Sequence, residues 1–406
     1  MANSLLTINM ITREAVRLWK NSNEFIQNID TQYDDSFAKT GAKIGTSLRI
    51  RLPNDFTVRT GPAASVQDTA EQSTTLVLAT QKGVDVSFNS VDRSMSLDDF
   101  SRRILAPMVN NLAGAVAADI MSGVEGGVSN FTANLDGTGA VVSPTAATWL
   151  QAGAILDQQS APRMNRKIMM DPLSMARTVG SLQGLFNPSR KIGEQYDSGQ
   201  MQEALGFDWF MDQTVLKHTT GAYSGSLTVN GAGQTGLQIV VNAITGGFAV
   251  GDIITFAGVN GVNRITKQST GTLQQFVVTQ AVASGGTLIN IYPAIIPPAS
   301  NGSQVQYQTV TASPANGATI LVVTPSASLY RKNVAYVPEA VTMATADLEI
   351  PGGVHEAARA EFDGVSMRMI TAYDVKSDQF ITRLDVLYGS LWVRPEWACA
   401  VGDSIS

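Results

Sequence analysis

The sequence predicts an α+β chain in which a β-rich domain is inserted into a mixed parent fold, and three observations carry that prediction. Residues 222–327 hold only three charged side chains, Asp252, Arg264 and Lys267, while the rest of the chain carries 59. Through that block turn pairs recur about every 10 to 16 residues between β-rich runs, the pattern of a small antiparallel barrel or sandwich. Outside it, period-two runs alternate with helical periodicity and resume after residue 327, so the block reads as an insertion with its two ends adjacent.

Composition narrows the function classes. At 406 residues the chain has room for two or three domains. Its 44% hydrophobic and 15% charged content is that of a folded protein rather than a disordered one. A net charge of −6 argues against a dedicated nucleic-acid binder, although a surface could face nucleic acid without gripping it. Cys399 is the only cysteine, so no intramolecular disulfide forms, which fits synthesis in a reducing cytoplasm. The first 20 residues lack a signal-type apolar run. No stretch reaches the roughly 18 apolar residues that span a bilayer, and no membrane association is expected.

The elements follow in order. Residues 9–29 read as an amphipathic helical arm, with Ile11, Ala15, Leu18 and Trp19 on one side. It packs either on its own domain or on a neighbouring subunit. From Gly45 to Asn89 the period becomes two: Leu48, Ile50 and Leu52 alternate with arginines, and Val84, Val86 and Phe88 alternate with polar residues. Between these runs lie Asp55, Arg59, Asp68 and Glu71. A two-stranded excursion with so little core is marginal alone and implies a surface to lie against.

Ser96-Leu-Asp-Asp99 is a helix start, with Ser96 as cap and two carboxylates at the positive end of the dipole. Leu97, Phe100, Ile104, Met108, Leu112, Val116 and Ile120 continue it to about Ser122, with a bend expected near Pro107. Residues 130–144 read as a turn-rich connector. A helix at 149–158, a strand at 167–170, a helix beginning at Asp171-Pro172 and a strand near Phe207–Phe210 follow. In the block, Asn230-Gly231, Gly246-Gly247, Asn260-Gly261, Thr270-Gly271, Gly285-Gly286, Asn301-Gly302 and Asn316-Gly317 mark turns. Strands are expected again at 334–337, 341–343, 365–373 and 380–387.

Catalytic equipment is scarce. Gly231-Ala-Gly233-Gln-Thr-Gly236 matches GxGxxG, but dinucleotide binding needs a following helix, and Leu237–Val241 are β-formers. His218, His355 and Cys399 are the only imidazoles and thiol, without metal-ligand spacing, and read as structural or surface residues. Asp98-Asp99 and Asp34-Asp35 are better explained as a helix cap and a solvated turn. There is no Walker loop, GxSxG elbow or HExxH. No catalytic, cofactor-binding or metal residue is assigned, no cofactor is expected, and an enzyme is the least favoured class.

The stretch from Gly251-Asp252-Ile-Ile-Thr-Phe256 through Asn263-Arg264 to Phe276-Val-Val-Thr279 resembles the inserted domain of coat proteins of the phage P22 family. Three more pieces resemble that family in the correct order. Gln81-Lys-Gly-Val84 leading to Ser96–Phe100 looks like its extended loop entering its spine helix, and Ala204–Trp209 looks like the approach to the insertion. Arg383–Gly389 with Val393-Arg-Pro-Glu396 looks like its C-terminal strand.

The resemblance implies the HK97-type major capsid fold with an inserted antiparallel β-barrel. Its parts would be an N-terminal arm at 1–44, an extended loop at 45–90, and a peripheral domain with the long spine helix at 91–145. The axial domain would occupy 146–221 and 328–350 around the inserted barrel at 222–327, with the peripheral sheet and C-terminal segment at 351–406. With three charges, the insert cannot host many ion pairs to neighbouring inserts, which is a departure from what such shells could use.

The implied function is self-assembly as pentamers and hexamers into the icosahedral head of a tailed double-stranded DNA phage, through a scaffold-guided procapsid that expands on packaging. The arm, the extended loop and the Pro107 bend are the expected moving parts. Partners would be further copies of the chain, a scaffolding protein, a portal protein, a decoration protein, and packaged DNA bound without sequence specificity. The location would be the virion shell, assembled in the bacterial host cytoplasm. Trp19, Asp55, Arg59, Glu71, Arg102 and Arg103 are the expected inter-subunit contacts. The alternatives are an encapsulin-like shell protein, or a β-rich tail or adhesion protein binding host carbohydrate.

Overall fold

A computed structural model describes residues 8–31, 47–56, 58, 61–64, 66, 71–89, 104–182, 203–298, 305–362, 364–376 and 379–405. The chain divides into two compact units. One comprises Met1–Ile50, Thr74–Ile120 and Val341–Val393; the other comprises Arg51–Ser73, Met121–Ala340 and Arg394–Ser406.

The first unit is built on an antiparallel sheet whose longest strand is Gln379–Trp392. One edge of that strand pairs with Thr80–Asn89, and the other pairs with Val365–Asp374 and then Val341–Ala346. Glu356–Phe362 extends the sheet beyond Val365–Asp374. Strand Thr80–Asn89 departs from the sequence reading, which placed it in the two-stranded excursion. Its inward residues Val84 and Val86 are half-buried while Asp85 and Ser87 face solvent, so it has a face to cover and covers it in this sheet.

The excursion's other strands, Ser47–Arg51 and Ser73–Val77, pair with each other. They are not without a core, because Ile50, Leu76 and Leu78 are buried together with Ala344.

Helix Ile8–Ser22 packs on Glu356–Phe362 and Val365–Asp374 and buries Ala15, Val16 and Trp19. The single helix expected over 9–29 breaks at Asn23. The Asn23 side-chain oxygen accepts the Ile26 N–H at 3.0 Å and starts a separate short helix, Glu24–Gln27.

The long helix spans Ala106–Gly127, past the expected end near Ser122, and buries Met108, Leu112, Val116 and Ile120. Its expected cap at Ser96–Asp99 lies outside the described residues. Pro107 stands at the start of helix Ala106–Gly127, after π-helical Ile104–Leu105, and the chain before Ile104, which a bend near Pro107 would involve, lies outside the described residues. Polar contacts fasten this helix to the sheet. Asp119 accepts from Lys82 Nζ at 2.7 Å and from the Tyr388 hydroxyl at 2.5 Å, and Trp392 Nε1 donates to the Ile120 carbonyl at 3.1 Å.

The second unit has a mixed sheet in the order Val141–Val142, Phe131–Leu135, Ala398–Ser404, Leu329–Tyr336, Lys167–Met170, Phe207–Met211, Glu203–Ala204, with Leu216–Thr219 also on Leu329–Tyr336. Phe131–Leu135 and Val141–Val142 form a hairpin where the sequence suggested only a connector. Lys167–Met170 and Phe207–Met211 run parallel, and helix Pro172–Leu182 follows the first of them. The Asp171 side chain caps that helix at the Leu173 N–H, with Pro172 in the first turn. Beneath the sheet, helix Ala146–Gln158 buries Trp149 edge-on against Trp209, 5.0 Å between rings.

The insert has its own apolar core. Its strands lie in the order Gly236–Val240, Leu288–Ile295, Phe276–Val278, Ile253–Phe256, Ile320–Val322, all antiparallel. Ile239, Ile254, Phe256, Phe276, Ile289 and Ile291 are buried between them. The closed barrel expected from the sequence is not formed by these ladders. Among the described residues the path of ladders is open, and the run 227–230 joins its two edges through the isolated bridges Val229↔Val241 and Thr228↔Thr319 and through single hydrogen bonds such as Asn230 N–H to Val240 and Ile320 N–H to Leu227. The linking run ends at once in the Asn230-Gly231 turn, where Gly231 has a φ of +98°, so no continuous closing strand develops.

Gly246 shows why one of the expected turn pairs needs glycine. Its φ is +87°, and a Cβ there would stand 1.7 Å from the Ala222 carbonyl oxygen. Asn260-Gly261, expected as a turn, instead lies in strand Asn260–Val262, which pairs with Ser269–Leu273. Asn301-Gly302 lies outside the described residues. Gly236 opens a strand and not a helix, so the GxGxxG stretch has no helix N-terminus to offer a pyrophosphate.

Candidate assembly site and the root of the insert

The six expected contact residues have different surroundings. Trp19 is fully buried in helix Ile8–Ser22, a core residue of its own chain. Asp55 is half-buried and accepts from Arg264 Nε at 2.9 Å. Glu71 is exposed, 3.7 Å from Arg51. Arg59, Arg102 and Arg103 lie outside the described residues. Beside Asp55, Phe56 is 60% exposed, and Val58 and Val66 further along are 90% and 92% exposed.

All three charges of the low-charge block are engaged within their own chain. Arg264 lies between Asp55 and Glu396, with Nη1 2.8 Å from Glu396 Oε1. Burial disfavours its charge, but the two carboxylates outweigh that and hold its pKa above the ordinary value. Lys267 donates to the Gln306 carbonyl, and burial lowers its pKa. The Tyr307 hydroxyl reaches Asn54 Oδ1 at 3.3 Å, so residues 54 and 55 are both held by the insert.

Asp252 is the third charge and is fully buried. It stands in the turn before Ile253–Phe256, where its carboxylate accepts the N–H of Ala249 at 2.8 Å and of Gly221 at 3.1 Å. His218 Nε2 is 2.9 Å from its Oδ1, and His218 Nδ1 is 3.4 Å from Glu125 Oε1, near the end of the long helix. Lys332, on the central strand Leu329–Tyr336, donates to the Gly251 carbonyl at 2.7 Å. Burial pushes its pKa down to about 8, partly opposed by Glu125 and Asp252. Gly251, at a φ of +92°, is required here, since a Cβ would meet Lys332 Nζ at 3.0 Å and the Glu125 carbonyl at 3.1 Å.

This cluster was not singled out from the sequence. A signal did exist: Asp252 is a lone carboxylate between Gly251 and a β-forming run, a setting in which a charge is either solvated or partnered. Gly221 and Ala327, at the two ends of the insert, are joined by an N–H···O bond of 3.2 Å, which places the predicted ends side by side.

The arrangement anchors and does no evident chemistry. Cys399 is fully buried and burial raises its thiol pKa, which is opposite to the activation of a nucleophile. Among the described residues no helix is long and apolar enough to cross a membrane.

Comparison with known proteins finds one family match, the P22 coat protein family, described as P22 coat protein - gene protein 5, over residues 27–402. No curated protein sequence matches the chain. Among solved structures it is similar to one from Mycobacterium phage Che8, with 11% identity, a TM-score of 0.48, and coverage of 93% of this chain and 90% of that one. A capsid structure of the cyanophage P-SCSP1u has 12% identity, a TM-score of 0.44, and coverage of 92% and 88%. A CUS-3 coat protein I-domain is 33% identical over 24% of this chain and 96% of that chain, with a TM-score of 0.20. With the family matched over nearly its whole length, the chain belongs to the P22 coat protein family and is a major capsid protein of a tailed phage, of the HK97-type fold and a structural component of the virion shell rather than an enzyme.

Proposed function

We propose that the subunit assembles in the bacterial cytoplasm as pentamers and hexamers that close into an icosahedral procapsid around a scaffolding protein, with a portal protein at the packaging site. The shell then expands as double-stranded DNA enters. The family match over residues 27–402 carries this reading. Physical chemistry supports it. Many weak contacts engaged at once make a closed shell collectively stable while each stays reversible enough for errors to be corrected. A chain of net charge −6 is compatible with DNA that is confined and not gripped.

We assign inter-subunit contact to the loop residues around Arg59 and Glu71 and to Arg102 and Arg103. Trp19 acts through the helix it anchors, and Asp55 acts by holding the loop base on the insert. Expansion is a switch between two subunit packings, with the N-terminal arm, the loop and the Pro107 region moving. Decoration by a further protein belongs to the same reading.

Negative-stain microscopy of the chain expressed with and without its scaffolding partner tests the proposal. Closed shells of uniform size only with the partner are expected. Shells that load a cargo enzyme without scaffold would favour the encapsulin-like alternative. A monodisperse monomer or trimer in both conditions would refute assembly and favour a carbohydrate-binding tail protein.

A further inference from the structure

His218 is buried between two carboxylates carried by different elements. Nε2 faces Asp252 Oδ1 at 2.9 Å, and Nδ1 faces Glu125 Oε1 at 3.4 Å. A neutral imidazole has one N–H and one lone pair, and an ionised carboxylate only accepts. In either neutral tautomer, one ring nitrogen would turn a lone pair on a carboxylate oxygen. The doubly protonated ring donates to both.

The surrounding groups favour that form. Asp252 receives only donors: the ring and the N–H groups of Gly221 and Ala249. For Glu125 burial opposes ionisation, but the His218 hydrogen bond and the charges of Lys332 and His218 outweigh it and hold its pKa below the ordinary value. From strand Leu329–Tyr336 come two more groups. The Lys332 ammonium points at the Gly251 carbonyl, and the Tyr330 ring lies edge-on to the imidazole at 5.4 Å, its phenol kept neutral by burial. With His218 neutral, two carboxylates face one ammonium. With His218 charged, the cluster balances.

The cluster sits where the chain enters and leaves the insert. Gly221, whose N–H is held by Asp252, accepts the Ala327 N–H. We propose that His218 is a proton-gated clasp: as an imidazolium it ties Glu125, at the end of the long helix, to Asp252 at the first strand of the insert, and loss of its proton releases Glu125 and loosens the root of the insert. The clasp is a property of the single subunit and does not depend on how the shell matures.

The sign follows from the partners. The imidazolium meets its two carboxylates only in the folded chain, so the clasp holds while the ring carries both protons and opens when rising pH removes one. Glu125 is held ionised by its partners, and Lys332, pushed down to about 8, is the other member of the cluster that loses a proton as pH rises, so the His218 variant is what separates the two.

The test uses the 406-residue chain, which has two histidines, His218 and His355. Two-bond proton–nitrogen NMR spectra, assigned with His355→Gln, report the state of each ring nitrogen. An imidazolium pattern for His218 is expected at about pH 6. Hydrogen-exchange protection at Gly221 and Ala249, corrected for intrinsic rates, should fall about tenfold between roughly pH 6 and pH 8, while Phe276–Val278 stays constant. His218→Gln should abolish that pH dependence. If that variant does not fold, Glu125→Gln, which leaves the Asp252 contact intact, should shrink it instead. A neutral tautomer at about pH 6, or the same pH dependence in the variants as in the natural chain, overturns the clasp.

Discussion

Asp252→Ala removes the acceptor shared by His218, Gly221 and Ala249 at 2.9, 3.1 and 2.8 Å. Breaking a buried charge pair from one side costs about 3–5 kcal/mol, because the remaining partner is left uncompensated. Each buried N–H left without an acceptor adds about 1–3 kcal/mol. Water entering the space vacated by the carboxylate satisfies part of this. The low end, about 3 kcal/mol, is therefore the figure to test, against a whole-domain stability of about 5–15 kcal/mol.

A chain of two compact units need not unfold in one step, so a global melting curve is the wrong readout. Native-state hydrogen exchange is local. A loss of about 3 kcal/mol lowers protection at Gly221 and Ala249 by roughly 100-fold, at 1.4 kcal/mol per tenfold. Amides of Lys167–Met170, on a sheet strand of the same unit, serve as the control. Asp252→Asn keeps one acceptor oxygen and should fall between the two. A loss of protection under about threefold in the alanine variant would mean that the carboxylate carries no anchoring load, and the account of the root would be refuted.

Phe256→Ala opens a cavity in the insert's core beside Phe276, whose ring centre is 5.3 Å away, and should destabilise the insert by about 3–5 kcal/mol, read as loss of exchange protection along Leu288–Ile295. Lys332, lowered from 10.5 to about 8 by burial, disfavours the folded state while charged. Between those values the unfolded chain binds a proton that the folded chain does not, so stability should rise with pH by roughly 3 kcal/mol in all. Lys332→Met should flatten that rise, measured as exchange protection along Leu329–Tyr336 against pH, corrected for intrinsic rates. Arg264→Met separates a half-buried pair of ion pairs and should cost about 1 kcal/mol or less, yet speed proteolysis within residues 51–73. In assembled shells carrying Arg264→Met with Lys267→Met, dissociation should depend on salt as it does in the natural chain; a changed slope would mean that these charges act between subunits.

What could be seen in the sequence was whatever burial writes locally. Val365–Tyr373 and Phe380–Leu387 alternate because one face of each strand is covered, and they pair antiparallel with each other. Met108, Leu112, Val116 and Ile120 recur at helical spacing because one side of the helix faces a core. Thr80–Asn89 showed its strand character but not its partner. Its ion pair between Asp85 and Arg383 joins residues 298 apart, and opposite charges across strands are recognisable only once the register is known. The break at Asn23 is decided by one side-chain hydrogen bond, below the resolution of periodicity. The openness of the insert's sheet rests on a few residues near Thr228 and Val229 that bridge without forming a ladder. The root cluster gathers Glu125, His218, Asp252 and Lys332 from four separate segments, and only the fold brings them together.

The scarcity of charge in the insert takes on a different meaning once the charges are located. Apolar packing carries no preferred orientation, so the core around Phe256 and Phe276 holds the insert together without deciding how it is seated. Seating is decided where direction enters, at Asp252 with His218 on one side and at Arg264 with Asp55 and Glu396 on the other. An insert rotated from this arrangement would keep its core but strand a buried carboxylate, at several kcal/mol, so the two anchors discriminate against mis-seating more strongly than they add stability. The remaining surface is left neutral, with Leu237, Ile265 and Leu321 among its exposed residues. Contacts made through that surface depend on shape and on neutral hydrogen bonds, and they are insensitive to the ionic strength that would screen charged ones.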